Sequence, residues 1–456
     1  MKPFFSYENR ILVIIMIVSF LAPFTSSALT LSLPDIGIAY GVGESLLSWV
    51  LEIFLISSTI FVLPLGKAAD ILGKRKVFLV GILSFTVSSA AVFWVHSIEE
   101  LLFLRFIQGI GSAMIYATSM AIIVLVYPQE RRGKAMGLVI AAVYIGLSAG
   151  PVLGGFLNYY YTWKSIFLFI AVCSTVAAIL TFGTMKTEWI SDKGGRIDYK
   201  GSFEYAAALV MIMYGLSEIL DSFSAKYFLV AGVGVFAFFI RNQMKTAKPL
   251  LPVRLFLDNR VFSYSSFAAM LNYSATFAIS FLLSLYLQNI MQYTSRDAGI
   301  ILLVQPILMA LLSPAMGALS DRVSISVLAS GGMACIALGL AGLALSVPWQ
   351  SIYAVMLCLV IIGVGFSLFT APNNNAIMSA VPKSFYGTAS SVLGTVRLIG
   401  QVFSVAIVTL VLSRTGTENV MGNELLMENI RFAFFVFTIL CVIGIFPSMK
   451  RTAGGK

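Results

Sequence analysis

A glutamate and an arginine, each inside an apolar run, are the residues whose type and setting point most directly to chemistry. Glu52 lies in Ser48-Trp49-Val50-Leu51-Glu52-Ile53-Phe54, and Arg105 in Leu102-Phe103-Leu104-Arg105-Phe106-Ile107. A carboxylate shielded from bulk water can load and unload a proton, and a neighbouring guanidinium can modulate that exchange. Each residue also has a plainer reading. Gly43 and Glu44 are close by, so Glu52 also reads as an interfacial acid reaching outer water. An unpaired cation at membrane depth costs roughly 2.5–3.5 kcal/mol on insertion scales, so Arg105 must pair, face water or snorkel. Three further acids, Glu204, Glu218 and Asp221, fall near the ends of apolar runs.

Other chemistries are poorly supplied. The single His96 follows an apolar run, which leaves no triad and no zinc set. Cys173, Cys335, Cys358 and Cys441 sit inside apolar runs without ligand-like spacing and read as small buried hydrophobes. No phosphate-cradling G-x-x-x-x-G-K-[ST] loop occurs, so direct ATP drive is not expected. These features point away from an enzyme and to no cofactor or metal.

Two other patterns are mechanical. Gly66-Lys67-Ala68-Ala69-Asp70 and Gly317-Ala318-Leu319-Ser320-Asp321 each close an apolar run with the spacing G-x-x-x-D. Such a glycine lets helix ends approach, and such an aspartate can face the positive end of a neighbouring helix. Gly73 and Arg75 continue the first copy, and Arg131 and Arg132, in a later basic loop, are candidate partners for Asp70. The reading is a latch between moving parts; for the bases alone an ordinary turn with topology-setting charge serves as well. Gly146, Gly150 and Gly154 recur every fourth residue and so share one helix face, with Pro151 and Gly155 interrupting the pattern. That stripe serves either a closing motion or plain close packing.

The elements that must position these residues are membrane helices. Hydrophobic residues make up 59% of the 456 positions and charged residues only 11%, less than half of what a soluble chain carries. Apolar runs of span length recur near 11–33, 45–65, 77–95, 101–126, 136–157, 164–184, 202–220, 226–240, 262–289, 298–318, 324–346, 351–371, 386–412 and 431–449. The eighth is short for a span. Lys2 and Arg10 before the first run, with Ser26-Ser27-Ala28 inside it, resemble a secretory signal, but the run continues to Leu33 and reads as a full span.

With the N-terminus in the cytoplasm, 23 of the 30 Lys and Arg residues lie on that side, five lie outside, and Arg105 and Arg397 fall within spans. That asymmetry places both termini in the cytoplasm and explains the basic pI near 9.4 without a nucleic-acid partner. Two polar stretches, Lys186–Ser202 and Asn242–Asn259, flank a hydrophobic hairpin; removing it leaves six spans on each side, the arithmetic of a duplicated bundle. The expected domains are residues 1–185, a six-helix bundle; 186–255, a linker with two accessory spans; and 256–456, a second six-helix bundle.

Taken in order, the motifs resemble those of the major facilitator superfamily, and of its fourteen-span drug:proton antiporter branch. Gly66 to Lys76 resembles the superfamily's loop signature, and Arg105-Phe106-Ile107-Gln108-Gly109-Ile110-Gly111 its fourth-span motif. Gly146 to Gly155 is similar to the fifth-span motif of antiporters, Trp163 to Phe167 to the opening of the sixth span, and Asp198-Tyr199-Lys200-Gly201 to the run before the extra hairpin. The run Pro372-Asn373-Asn374-Asn375-Ala376-Ile377 fits the same pattern.

The resemblance implies an all-α polytopic protein of about fourteen spans, with two six-helix bundles and a two-helix insertion, in the plasma membrane. It implies proton-driven export of amphipathic drugs or metabolites by alternating access. The partners would be a small-molecule substrate, protons and the lipid bilayer; a monomer suffices for this architecture. By the same analogy Tyr264, Asn272, Tyr273, Gln305, Phe366, Asn373 and Arg397 are candidate cavity residues, although any one aromatic serves equally well for packing. Aromatics with one acid would suit large amphipathic cations. Thr25 departs from the pattern, standing where relatives often carry an aspartate, and Glu52 is the substitute the sequence offers. A carrier of another solute in the same fold, or a sensor without turnover, would share most of these features; the sensor is expected to carry a soluble appendage, and none follows the last span.

Overall fold

The computed structural model describes residues 6–42, 44–217, 223–412 and 423–451. They are all-helical, with no strand among them, and thirteen of the helical segments are long and apolar enough to cross a membrane. In lipid a helix satisfies its own backbone hydrogen bonds, so a chain this apolar has few alternatives.

The first half runs α1 (Tyr7–Tyr40), α2 (Glu44–Leu72), α3 (Lys74–Ala91), α4 (Ile98–Val126), α5 (Arg132–Ala149), α6 (Gly155–Tyr160) and α7 (Lys164–Thr184). A π-helical turn at Gly150–Gly154 joins α5 to α6, so both belong to one span. The Ser6 hydroxyl accepts from the Asn9 amide to cap α1, and Gly41, at φ 65°, ends it in the left-handed conformation that glycine adopts without strain. Next come α8 (Tyr199–Ser217) and α9 (Phe223–Lys245).

The second half runs α10 (Val253–Asp258), α11 (Arg260–Thr276), α12 (Ile279–Leu285), α13 (Ser295–Leu302), α14 (Val304–Ser320), α15 (Ile325–Ser346), α16 (Ile352–Ser379), α17 (Tyr386–Leu412) and α18 (Asn423–Lys450). Short breaks divide spans that the sequence reads as continuous. Residues 260–290 form one span from α11, α12 and a π turn, and residues 296–320 form another from α13 and α14.

Within the first half α2 and α3 pack on α4, while α1 packs on α5 and α7; within the second, α15 packs on α16 and α18, and α11 on α17. The halves meet along two seams, α2 against α17 and α5 against α14. The second seam is so close that a Cβ on Gly133 would overlap Gly317 backbone, and one on Gly317 would overlap Gly133. Only hydrogen side chains permit that approach.

Two expectations about the inserted hairpin change. The span expected at Lys226–Ile240 is a 23-residue helix, α9, long enough to cross. Its polar end stays helical because it is paired: Asn242 Nδ2 donates to the Glu204 carboxylate at 3.1 Å, and Gln243 Nε2 to Asp198 Oδ2 at 2.7 Å. The span expected at 202–220 is the one missing from the thirteen. Its described part, α8, carries Lys200 and Glu204 in its first turns, and Glu218 and Asp221 lie outside the described residues. The two helices pack as a hairpin, Tyr214 meeting Phe228 edge-on at 5.2 Å.

Candidate functional site

At one end of the molecule two carboxylates, Asp70 buried and Asp321 half-buried, cross between the halves. Asp70, near the end of α2, is 1% exposed and receives four hydrogen bonds on its carboxylate. Lys74 Nζ donates to Oδ1 at 2.7 Å and the Gly387 amide to the same oxygen at 3.2 Å. The Thr388 amide and hydroxyl each donate to Oδ2 at 3.1 Å. Asp70 therefore sits on the first turn of α17, where free amides and the helix dipole favour an anion.

Asp321 repeats the arrangement in reverse. It follows α14 and accepts from the Gly133 amide at 2.8 Å and the Lys134 amide at 3.1 Å, on the first turn of α5. Each half thus presents an aspartate from a G-x-x-x-D motif to a helix start in the other. Burial pushes the Asp321 carboxyl above the usual carboxylate range; the Gly133 and Lys134 amides oppose that shift and the nearby Glu130 adds to it.

The polar stretch after α7 folds beneath the first latch. The amides of Ser191 and Asp192 donate to the Asp70 carbonyl at 3.0 and 2.9 Å, and Lys74 Nζ also reaches Ser191 Oγ at 2.6 Å. Lys67 pairs with Asp192 at 2.8 Å, and that hydrogen bond holds the Asp192 carboxyl below its ordinary value. Arg75 donates from its amide to Glu188 Oε1 and from Nε to the Met185 carbonyl. Gly73, at φ 112°, makes the turn that brings Lys74 back to Asp70. Arg131 is exposed in the turn before α5, and Arg132 Nε donates to the Tyr127 carbonyl; the cation on Asp70 is Lys74 instead. An i, i+4 pair within one chain end is closer to hand than a loop across the bundle.

Arg105, on α4, is wholly buried and does not reach the outer surface. Its Nε donates to the Val50 carbonyl at 2.8 Å, Nη1 donates to Gln108 Oε1 at 2.6 Å, and the guanidinium lies 4.4 Å from the Phe54 ring. Gln108 in turn donates to Ser89 at 2.8 Å. Glu52 is half-buried on α2. Two residues from both Val50 and Phe54, it falls about 160–200° around the helix from the face that holds Arg105. The Thr25 hydroxyl is buried and donates to the Leu21 carbonyl of its own helix at 2.6 Å.

The α5 stripe packs on α1. A Cβ on Gly146 would overlap the Phe20 carbonyl, one on Gly150 would overlap Ser27, and one on Gly154 would overlap Ala28. Gly155 meets nothing, and Pro151 lies in the π turn, where the helix has already loosened.

Between the halves lies a cavity of about 60 Å³. Tyr116, Tyr144 and Ser119 line it from the first half; Tyr273, Thr370, Asn374 and Arg397 from the second. The Arg397 guanidinium stands 5.9 Å from the Tyr116 ring and 5.5 Å from the Tyr273 ring. Phe366 backs the wall, edge-on to Tyr144 and to Tyr273 at 6.0 Å each. Towards the latch the cavity is shut by Ser390, whose hydroxyl donates to the Tyr116 carbonyl across the halves at 2.8 Å.

Of the residues singled out from the sequence, Tyr273 and Arg397 line this cavity and Phe366 supports it. Asn272 instead donates to Met333 Sδ, and Asn373 is held by Arg451 at 2.8 Å and by the Ser265 carbonyl at 3.0 Å. Tyr264, Gln305 and Glu52 are not among its lining residues. Tyr116, Tyr144 and Asn374 escaped the sequence reading. Asn374 is the neighbour of Asn373, about 100° round the helix, and Tyr144 precedes the glycine stripe by two residues. The cavity's aromatics come without an acid, since no aspartate or glutamate lines it among the described residues.

The family model for the Major Facilitator Superfamily matches residues 15–405 and, in a second match, 266–451. The chain is 27% identical to the riboflavin transporter RibZ of Clostridioides difficile over 387 residues, covering 85% of this chain and 84% of that protein. It is 29% identical to the multidrug resistance protein Stp of Mycobacterium tuberculosis, covering 84% of this chain and 72% of Stp. The methyl viologen resistance protein SmvA of Salmonella typhimurium is 26% identical, with 90% and 83% covered. Among solved structures, the human organic anion transporter MFSD10 superposes with a TM-score of 0.67 at 15% identity, over 97% of this chain and 99% of that one.

Proposed function

We infer that this chain, which belongs to the Major Facilitator Superfamily and is a membrane transporter rather than an enzyme, is a proton-coupled antiporter that exports amphipathic organic solutes across the plasma membrane. The observation that carries the reading is the cavity between the halves, shut on one side by two reciprocal latches. Asp70 on α17 and Asp321 on α5 are contacts between halves, so they exist only while that end is shut. Rocking the halves apart breaks both and opens the cavity to that side, which is alternating access.

Several observations support the finer statement. Lys67, Lys74, Arg75, Lys76, Arg131, Arg132 and Lys134 cluster at the latch end, which the positive-inside rule makes cytoplasmic. The cavity wall is aromatic and apolar with few polar groups, the lining expected for bulky organic solutes. Stp and SmvA are relatives named for drug resistance, and RibZ for riboflavin transport. For the proton, Glu52 is the acid embedded in the first half's second span, while Arg105, held on the opposite face of α2, braces α2 against α4. The glycine stripe of α5 provides a close contact with α1 within the first half, along which α5 can shift on α1.

Expression in a drug-sensitive host tests export directly. Cells making the protein should accumulate less of a fluorescent amphipathic dye, and a protonophore should abolish the difference. Equal accumulation, with the protein shown to be in the membrane, would refute export.

A further inference from the structure

We propose that Arg397 is a substrate-binding residue and that the transported solute is an organic anion with an aromatic body. The proposal rests on the export reading above and specifies the substrate class of the same cavity. Among the described residues Arg105 and Arg451 are buried, and they show what a structural arginine does here. Arg105 is anchored on the Val50 carbonyl and Gln108. Arg451 donates to the Ser448 carbonyl at 2.9 Å, to Ser265 at 3.1 Å and to Asn373 at 2.8 Å. Arg397 is different. Among the described residues it makes neither a hydrogen bond nor an ion pair, and it faces the cavity.

A guanidinium carries five N–H donors and its charge is always present. The faces of Tyr116 and Tyr273 attract that charge but offer no in-plane acceptor for the donors. Arg397 is half-buried in the cavity wall, and no aspartate or glutamate lines the cavity among the described residues, so its donors are left for water or for an anionic solute. A carboxylate, sulfonate or phosphate on the solute fills that role, pairing with Arg397 through charge-assisted hydrogen bonds. Tyr116, Tyr144 and Tyr273 then stack on an aromatic body. A cationic solute of the same shape would instead meet Arg397 without an intervening acid, which is selection by repulsion as well as attraction. At about 60 Å³ the cavity is far below the roughly 300 Å³ that organic ligands occupy, so binding requires the opened state.

The test uses two probes on one xanthene scaffold, fluorescein as the anion and a rhodamine ester as the cation. Binding to purified full-length protein in nanodiscs is read by fluorescence anisotropy, for wild type, Arg397→Lys and Arg397→Met. The expected result is tighter binding of fluorescein than of the rhodamine ester by wild type. Arg397→Met should weaken fluorescein binding by about tenfold or more, Arg397→Lys by less, and neither should weaken the rhodamine ester. Equal or tighter binding of the rhodamine ester by wild type would overturn the proposal, and this arm needs no variant to fold. So would unchanged fluorescein affinity in Arg397→Met that elutes as a monodisperse species. Proton coupling is read separately, as pH-gradient collapse in vesicles. Arg397-dependent fluorescein binding without collapse leaves the anion site standing and removes antiport. Collapse driven by the rhodamine ester, and retained in Arg397→Met, removes the anion site and leaves antiport.

Discussion

Replacing Asp70 by asparagine should open the latch end of the transporter. Lys74 belongs to the same half as Asp70, so losing that pair lowers stability in every state and leaves the balance between states alone. The Gly387 amide and the Thr388 amide and hydroxyl belong to the other half, so their bonds favour only the closed end. Hydrogen bonds to a charged group contribute about 1.5–3 kcal/mol each. Taking the low value for three, and leaving asparagine's carbonyl one neutral bond of about 1.5 kcal/mol, the closed end loses about 3 kcal/mol. That is roughly a hundredfold in the equilibrium constant, enough to turn a closed population of about 99% into about half. Spin labels at Lys76 and Arg322, exposed on opposite halves at this end, report the change by pulsed dipolar spectroscopy. A longer-distance population should grow to rival the short one. Thr388→Val, which removes only the hydroxyl, should produce a shift of about tenfold. Unchanged distances in a folded Asp70→Asn protein would refute the claim that this carboxylate holds the halves together.

Two further outcomes follow from the geometry. The Asp321 carboxyl is held above its ordinary value where it is buried against α5 and returns towards that value once the end opens. The closed state therefore binds the proton more tightly, so its stabilisation through Asp321 is full below the ordinary carboxylate pKa and is lost as pH rises through the elevated one. In the same spin-label experiment acidification should favour the closed end, and Asp321→Asn should remove that component of the pH dependence. Arg105→Met leaves Gln108 Oε1 without its donor, at about 1–3 kcal/mol, while the Val50 carbonyl loses its second donor and keeps its helical one. Thermal unfolding in detergent should show a clear fall in Tm, with gel-filtration behaviour otherwise retained.

The membrane fold was legible because lipid leaves so few options. Composition and span-length apolar runs lead to helices that the structure contains, 202–220 being the one expected span missing from the thirteen. Span breaks were only partly legible: Pro151 marked the π turn at Gly150–Gly154, whereas Gln288 and Asn289 in the turn at Tyr286–Ile290 read as the end of a span. The short reading of the eighth span failed for a related reason, because Asn242 and Gln243 look like a loop until their partners Glu204 and Asp198 are known. At the latch, G-x-x-x-D spacing marked both aspartates but not the helix starts that donate to them, whose Gly387 and Gly133 amides lie 317 and 188 positions away in sequence. Arg131 was the natural partner by loop proximity, yet Lys74, one helical turn from Asp70, holds the pair. In the cavity Arg397 stood out as a charge within a span. Tyr116 and Tyr144 did not, since an aromatic facing a cavity and one facing lipid look alike in a chain this rich in both.

Proton-coupled export is tested most directly by collapse of a preformed pH gradient in inverted membrane vesicles, challenged with a panel of amphipathic anions and cations, for wild type and Glu52→Gln. The account predicts solute-dependent collapse by wild type and none by Glu52→Gln. Collapse by both would move the proton site away from Glu52, and no response from wild type, with its presence in the vesicles confirmed, would contradict proton antiport itself.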